Sequence, residues 1–313
     1  MQSGISGVEA PALPGPSVKA TPLRLDPRAS LDDAFAAVIG GCLDHFCANA
    51  ARFRRAGQPE SVHQMRVALR RLRAAIGLSK KDFPCAELIL AAAQAKLLAG
   101  KLGVVRDWDV FHDRLSEPRA AAPGEAGFYA LIDMVELRRA EAAQEARIAL
   151  DSPRTHEFLD GLRTVVERRA WSNGGVSTQE GSARVFAARS LTRLRKRALT
   201  RCDGLADLPA HDRHQARIAL KKARYGAEFF ESLFDAPSRP WLHAISHLQE
   251  SLGSGTDVEM ALRLLDRLDV DDNAAPRRAI GFCRGWWTHA LAEITAAAHE
   301  SGKSLRKVRP FWT

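Results

Sequence analysis

The sequence is poor in cysteine and lacks a long hydrophobic run. It has 5 cysteines, an odd number with no Cys-x-x-Cys pair, which argues against a disulfide framework and against a zinc ribbon. No uninterrupted apolar run reaches the roughly 18 residues of a membrane-spanning helix, and no charged N-terminal region precedes an apolar one as in a signal peptide. We therefore expect free thiols and a cytoplasmic protein that does not contact a membrane.

Strand-forming patterns are also nearly absent. The chain has 2 tyrosines and few runs of β-branched residues. Helical periodicity, by contrast, begins at Ser30 and continues towards the C-terminus. The pattern predicts an all-α protein.

The domain boundaries are predicted from composition. Residues 1–29 contain several prolines and glycines and little apolar material, which predicts a disordered leader. Residues 172–183, SNGGVSTQEGSA, have the composition of an internal linker. We therefore predict one helical domain over residues 30–313, with a first half of about 30–171 and a second half of about 184–313.

Acidic residues are outnumbered by basic ones. The chain has 46 Lys and Arg against 37 Asp and Glu, a formal net charge of +9 and a pI of about 9.7. This balance indicates a polyanionic partner, without separating nucleic acid, an acidic membrane and a phosphate polymer. The basic stripes described next are richer in arginine than in lysine, which favours phosphate because the guanidinium group binds its oxygens in bidentate fashion.

The most informative feature that is present is a repeated basic helix. The segment PESVHQMRVALRRLRAAIGLSKK, residues 59–81, returns as PAHDRHQARIALKKARYGAEFF, residues 209–230. The identical pairs include His63/His214, Arg66/Arg217 and Arg73/Arg224. Ser61 and Asp212 occupy equivalent positions, each with a glutamine three residues later, and this spacing predicts a helix N-cap at both. The repeat predicts two bundle-like halves related by a pseudo-two-fold axis.

Each copy of the helix collects its basic residues on one face. At about 100° per residue, the first stripe contains His63, Arg66, Arg70, Arg73, Lys80 and Lys81, and the second contains His214, Arg217, Lys221 and Arg224. Like charges three or four residues apart cost about 0.2–0.5 kcal/mol per pair in an isolated helix. A solvated helix face is the simpler explanation, but two stripes in register favour a binding surface for an anion with repeated charges.

These segments resemble the CHAD domain, the conserved-histidine α-helical domain. The resemblance rests on VHQMRVALRRLR at 62–73, LGVVRDWDV at 102–110, HQARIALKKARYGAEFF at 214–230 and LGSGTD at 252–257. It extends from about Leu31 to the C-terminus. The resemblance implies a helical domain in which basic residues of both halves line a central cavity that binds inorganic polyphosphate. Relatives often carry a triphosphate-tunnel module with an ExExK signature, which this sequence lacks, so we expect a stand-alone member without hydrolase activity.

The stripes and the resemblance together predict the site. The primary candidates are His63, Arg66, Arg70, Arg73, Lys80, His214, Arg217, Lys221, Arg224 and Tyr225. The secondary basic candidates are Arg71, Lys81, Lys101, Arg106, Arg193, Arg197 and Lys222. We expect no catalytic residue, no cofactor and no metal ion. Asp107 and Asp257 are expected to be structural, as N-caps or as ties between helices.

His63 and His214 admit three interpretations. A metal site needs further convergent ligands, and neighbouring arginines would repel the cation. A nucleophilic role needs a base and an orienting acid, which the local sequence does not supply. A phosphate contact at a helix N-terminus is favoured, because the free N–H groups and the helix dipole attract anions there. This interpretation predicts tighter binding at about pH 6 than at pH 8.

The function expected from the sequence is polyphosphate binding, with docking on polyphosphate granules or regulation of phosphate metabolism as its consequence. Two alternatives remain at this stage: a basic nucleic-acid-binding protein, and a phosphatase or phosphotransferase that uses one of the histidines. Nucleic-acid modules usually add base-stacking aromatics or a groove-reading helix, and here the basic helices carry no aromatic residue in their stripes except Tyr225. The oligomeric state is left open.

Overall fold

The fold was analysed in a computed structural model of the chain. The structure describes residues 16–80, 82–174, 182–205, 208–268 and 274–313. Over these ranges the protein is all-α, and its β structure is limited to an isolated antiparallel bridge between Ser30 and Ser182. The predicted fold class is therefore confirmed.

Ten α-helices are described along the chain. They are α1 (Leu31–Ala56), α2 (Pro59–Ser79), α3 (Ala86–Arg114), α4 (Ser116–Ala121), α5 (Gly127–Leu150), α6 (Pro153–Glu167), α7 (Ala183–Arg201), α8 (Ala210–Phe230), α9 (Arg239–Leu265) and α10 (Ala274–Lys307). Short 3-10 helices lie at Ala170–Gly174 and at Glu231–Leu233.

Capping residues account for some of these boundaries and correct one prediction. The Ser30 side chain accepts a hydrogen bond from the Asp33 N–H at the start of α1, and Gly57 ends that helix in the left-handed region with φ 63°. The two basic helices begin earlier than predicted, α2 at Pro59 and α8 at Ala210. The predicted N-caps, Ser61 and Asp212, therefore lie inside the first turn. In α2, Pro59 supplies a favourable first helical residue, and in α8 the N-cap position is taken by Pro209.

The apolar faces of the two basic helices form part of the core. In α2 the buried residues include Met65, Ala68, Leu69 and Leu72, and in α8 they include Ala216, Ala219, Leu220 and Ala223. Burying a leucine or methionine side chain contributes about 1.5–3 kcal/mol. The apolar side of each helix is thus fixed in the interior, and the basic stripe is directed away from it.

The helices of the two halves contact one another in equivalent pairs. Helix α2 packs on α1 and α3, and α8 packs on α7 and α9. Across the halves, α1 contacts α7, α2 contacts α8 and α3 contacts α9. These are the contacts that the predicted pseudo-two-fold arrangement would require. They also place α2, α3, α9 and α8 in a closed ring.

Residues 16–29 differ from the prediction of a disordered leader. The Val18 N–H donates to Asn49 Oδ1 at 3.1 Å, and Asn49 Nδ2 donates to the Val18 carbonyl at 2.9 Å. Leu25 is buried. The prediction is wrong for residues 16–29, because hydrogen bonds to α1 hold this segment in place although its composition is typical of disorder. Residues 1–15 lie outside the described part of the chain.

The predicted linker is described only at its ends. Residues 172–174 belong to the 3-10 helix at Ala170–Gly174, and α7 begins at Ala183 after the N-cap Ser182. Residues 175–181 lie outside the described ranges. The change from the first half to the second therefore falls between α6 and α7.

Among the described residues, two helical segments are long and apolar enough to cross a bilayer by length and composition. They are Leu31–Ala56, with a mean hydropathy of 1.3, and Ala86–Ala121, with a mean hydropathy of 1.6. A core helix of a soluble protein passes the same test. Helix α1 fits that description, since 61% of its most apolar window is buried, whereas only 39% is buried in the segment that begins with α3.

Candidate anion-binding cavity

A cavity of about 740 Å³ lies within the ring formed by α2, α3, α9 and α8. All the primary site candidates except Arg73 and Lys80 line it, together with Arg106 from the secondary set. The predicted lining residues are His63, Arg66, Arg70, Arg106, His214, Arg217, Lys221, Arg224 and Tyr225. The cavity is therefore lined by basic residues of both halves.

The two stripes supply equivalent groups in equivalent order. His63 and His214 are each the fifth residue of their helix, α2 and α8, and so lie farther from the helix N-terminus than predicted. Arg66 and Arg217 follow three residues later. One turn further along, Arg70 in α2 corresponds to Lys221 in α8. Because residues four apart are neighbours on a helix surface, each helix presents a row of cations to the cavity.

Two glycines of α3 and α9 face the central arginines. A Cβ atom added to Gly103 would lie 2.5 Å from Arg66 Nη1, whereas one added to Gly253 would lie 3.9 Å from Arg217 Nη2. Gly103 thus leaves the space that the Arg66 guanidinium occupies. In the sequence these glycines are only part of the Leu-Gly motif, and their proximity to the arginines is visible only in the structure.

Burial inside a cationic cavity lowers the pKa of its basic groups. The pKa of Lys221 falls from 10.5 to about 6, mainly through desolvation and then through Arg217 and Arg70. The pKa of His63 falls to about 4, mainly through desolvation and then through Arg106. That of His214 is also lowered, first by desolvation and then by Arg217. The groups therefore shift towards their neutral forms when no anion is bound.

Three arginines of the cavity have a buried Nε atom that makes no hydrogen bond within the described residues: Arg70, Arg217 and Arg224. Of these, Arg224 Nε lies 3.2 Å from Glu228 Oε1 in an ion pair. Desolvation also lowers the pKa of Arg217. Buried donors of this kind are usually satisfied, so the Nε atoms of Arg70 and Arg217 are available to an acceptor that enters the cavity.

The aspartates offset part of this positive charge. The negative charge of Asp107 favours the charged form of Arg66, and that of Asp257 does the same for Arg217. The pKa of Asp107 is itself raised, first by desolvation, and the neighbouring Asp257 adds to the increase. Both residues line the cavity from the interior of α3 and α9, so neither is an N-cap as one of the predictions supposed.

Arg71 acts as a tie between the halves. It is buried, donates to Glu228 of α8, and lies over the rings of Tyr225 at 5.7 Å and Phe229 at 4.9 Å. Glu228 also pairs with Arg224, with 3.2 Å between Nε and Oε1. Arg71 was predicted as a secondary ligand, but its charge is already neutralised by Glu228.

The leader forms one wall of an adjoining pocket. This pocket, of about 340 Å³, shares His63, Arg224 and Tyr225 with the main cavity and is bounded by residues 19–22. Lys19 adds a further cation there. The sequence does not reveal this contribution, because the composition of residues 1–29 predicts disorder.

The remaining predicted residues lie outside the cavity. Arg73 and Lys80 are exposed and act electrostatically on Lys222, whose pKa is lowered by desolvation and then by Arg197, Arg73 and Lys80. Arg193 pairs with Asp82 at 3.2 Å. Lys101 is exposed on α3, and Lys81 lies outside the described residues. The helical wheel gave the correct face for Arg73 and Lys80 but not the position along α2 at which the cavity ends.

The described residues contain no group of three or more His, Cys, Asp or Glu side chains placed to hold a metal ion. The five cysteines are free, and all except the partly exposed Cys47 are buried.

Comparison with known proteins gives matches at three levels. The sequence pattern of the CHAD domain family matches residues 37–266. Two uncharacterized proteins from two strains of Mycobacterium tuberculosis are each 32% identical over 181 residues, which is 55% of this chain. The chain spans about a third, 34%, of the length of these curated relatives.

Two solved structures are similar over most of their length. The CHAD domain from the plant Ricinus communis is 32% identical, with a TM-score of 0.82 over 94% of this chain and 98% of that one. PptA from Streptomyces chartreusis is 17% identical, with a TM-score of 0.67 over 88% of this chain and 99% of that one. At that identity, the second match concerns the fold alone.

Proposed function

The chain belongs to the CHAD domain family, and we propose that it is a non-enzymatic module that binds inorganic polyphosphate in the cavity between α2, α3, α9 and α8. The observation that carries this proposal is the convergence of both basic stripes on one cavity. Arg66 and Arg70 reach it from α2, and Arg217 and Lys221 reach it from α8. A flexible anion with a charge on every unit can contact both rows at once.

The residues have distinct parts in this binding. Arg66, Arg70 and Arg217 bind phosphate oxygens through their guanidinium groups, which remain charged at all physiological pH values. Lys221 takes up a proton when the anion enters, since a negative charge nearby raises the pKa that burial has lowered. His63 and His214 lie one turn into their helices, beyond the free N–H groups of the first turn, and contact the anion through their imidazole rings.

The structure favours polyphosphate over nucleic acid as the ligand. Tyr225 is the one aromatic residue in the described cavity lining, and it is buried beneath Arg71 and Arg224. It is therefore not free to stack on a base, which is how single-stranded nucleic acids are commonly held. Docking on cytoplasmic polyphosphate granules is the cellular role that we propose.

The proposal is tested by titrating the full chain with long-chain polyphosphate. The cavity variant Arg66→Ala/Arg217→Ala should lose affinity by a factor on the order of 100 or more, because hydrogen bonds to charged groups contribute about 1.5–3 kcal/mol each. The matched control Arg138→Ala/Arg163→Ala also removes two positive charges, but from exposed surface pairs with Glu141 and Asp160. Equal losses in both variants would contradict a cavity site.

Two further measurements separate the alternatives. Affinity for polyphosphate should fall steeply with salt, as counterions are released from a bound polyanion. DNA or RNA of matched charge should compete weakly; if it displaces polyphosphate at equal phosphate concentration, the protein is a general polyanion binder.

The histidine-dependent enzyme is addressed by an assay for phosphate release from polyphosphate or nucleotides. We expect none above background. Release that disappears in both His63→Ala and His214→Ala would replace binding by phosphatase or phosphotransferase activity.

A further inference from the structure

One face of α3 is apolar and exposed to solvent, outside the cavity. Leu90, Leu97 and Val104 are 62%, 54% and 44% exposed and lie seven residues apart, so they form a line along the helix. Three small exposed residues alternate with them: Ala86, Ala93 and Gly100. These six residues, which we call the α3 seam, repeat at spacings of three and four residues, as the contact positions of a coiled coil do.

The opposite side of α3 already has its partners within the protein. Helix α3 packs against α2, α5, α6 and α9, and residues such as Leu88, Ala95 and Leu102 are fully buried. The helix cannot rotate to bury the seam without exposing this side. An exposed apolar stripe on a helix fixed in this way usually marks a contact surface.

We propose that the α3 seam is the interface of a homodimer in which a second copy of this chain docks antiparallel along α3. In a two-fold pairing each contact occurs twice, so the surface must complement itself. One antiparallel register places every large residue of the seam against a small residue of the second copy. In this register Leu90 lies over Gly100 of the second copy, Leu97 over Ala93, and Val104 over Ala86. Gly100 has open space beside it, since an added Cβ would meet no atom within 4 Å among the described residues.

The charges beside the seam agree with the same register. Glu87, Gln94 and Lys101 occupy one edge at intervals of seven residues, on the side of α6, where Arg154 Nε donates to Gln94 Oε1 at 2.8 Å. Antiparallel docking brings Glu87 opposite Lys101 of the second copy, twice, with Gln94 and its partner Arg154 at the centre of this edge. In a parallel pairing each edge would instead face the other edge, so that Lys101 would approach Lys96 of the second copy. The edge charges therefore select the antiparallel arrangement.

The opposite edge weakens the dimer without excluding it. Lys96 lies there and would approach Lys96 of the second copy, but its long stem allows the ammonium group to reach solvent. The seam from Ala86 to Val104 is about 27 Å long at 1.5 Å per residue. A contact of this extent lies at the small end of specific interfaces, so the dissociation constant should be on the order of 1–100 μM.

The first test is the molar mass of the full chain by size-exclusion chromatography with light scattering, from about 1 μM upwards. We expect a monomer–dimer equilibrium, and the variant Leu97→Glu should raise the dimer dissociation constant at least tenfold. Val185→Glu is the matched control, since Val185 is 69% exposed on α7 and lies outside the seam. A wild-type chain that stays monomeric at 200 μM, or equal effects of the two variants, would overturn the proposal.

The second test is charge reversal, which reads the register. Glu87→Lys and Lys101→Glu should each weaken the dimer, and the double variant should restore it. A double variant as weak as the single ones would refute the antiparallel register. If the chain is monomeric and instead floats with phosphatidylcholine vesicles in a manner abolished by Leu97→Glu, the seam is a lipid contact and the homodimer is wrong.

Discussion

The two basic helices face the same cavity with different chemistry. Helix α2 presents Arg70, a fixed charge, at the position where α8 presents Lys221, whose pKa falls to about 6. Farther along, α2 has Gly77 where α8 has Glu228, and this carboxylate pairs with Arg224. The comparison shows that two similar helix sequences can present side chains of different charge to the same cavity. The first half supplies permanent charge, and the second supplies charge that depends on pH and on competition with an internal acid.

The largest effect expected from this difference is on pH dependence. A lysine whose pKa is about 6 in the empty cavity is mostly neutral at pH 8, so binding an anion there requires proton uptake. Affinity for polyphosphate is then fully present below pH 6 and falls as the pH rises above it, by up to tenfold per unit. Between pH 6 and pH 8 we expect a loss of roughly 10- to 50-fold in titrations at constant ionic strength.

Two variants that exchange lysine and arginine show whether Lys221 causes the pH dependence of binding. Lys221→Arg keeps its charge at pH 8 and should remove most of the loss, whereas Arg70→Lys should make the pH dependence steeper. If Lys221→Arg retains the wild-type profile, the dependence arises from His63 and His214 instead. A flat wild-type profile would contradict both origins.

The next effect concerns the glycines that face the central arginines. Gly103→Ala should displace the Arg66 guanidinium and lower polyphosphate affinity about tenfold, the amount expected for the loss of about one charged hydrogen bond. Stability should change little, because the displaced atom is the end of a flexible side chain and alanine favours the helix by up to about 1 kcal/mol.

Gly253→Ala is the matched variant in the second half. Its added methyl group meets Arg217 at an ordinary contact distance, so affinity should stay within about twofold of the wild type. Binding titrations and thermal melts of the pair measure both quantities. Equal losses of affinity would show that the two arginines are equally confined.

The smallest effect should come from Glu228. Glu228→Gln keeps an acceptor for Arg71 but removes a negative charge beside Arg224, so affinity should rise a few-fold while stability falls by about 1–3 kcal/mol. Gly77→Glu reverses the comparison by adding an acid to the first half, and it should lower affinity slightly. A rise in affinity with Gly77→Glu, measured by the same titration, would contradict the competition between carboxylate and phosphate.

Much of the cavity was predictable because a helix converts sequence spacing into a face. The repeat placed Arg66, Arg70, Arg217 and Lys221 on polar stripes opposite the apolar residues, and the structure brings those stripes together. Spacing along one helix contains no information about its partner. The pairing of Arg71 with Glu228 was missed for that reason, since these residues meet only when α2 packs on α8.

Amino-acid composition predicted local structure less well than helical spacing did. Prolines and glycines in residues 1–29 predicted disorder, but hydrogen bonds to α1 hold the part from residue 16 onwards, and those contacts depend on Asn49 and its surroundings. The exposed seam of α3 was also missed. A strongly apolar helix is expected to be buried on all sides, and the burial of each face depends on the neighbours it receives in the fold.

Under the proposed function, the ring of α2, α3, α9 and α8 couples ligand binding to folding. The basic residues on its two sides are about 150 residues apart in the chain, from His63 to His214. The cavity therefore cannot form until the second half of the chain has been synthesised. A ligand that binds only the native state shifts the folding equilibrium towards it, so an anion bound in the ring would stabilise the folded full-length chain. Polyphosphate would thereby hold together α2, which is synthesised first, and α8, which is synthesised later.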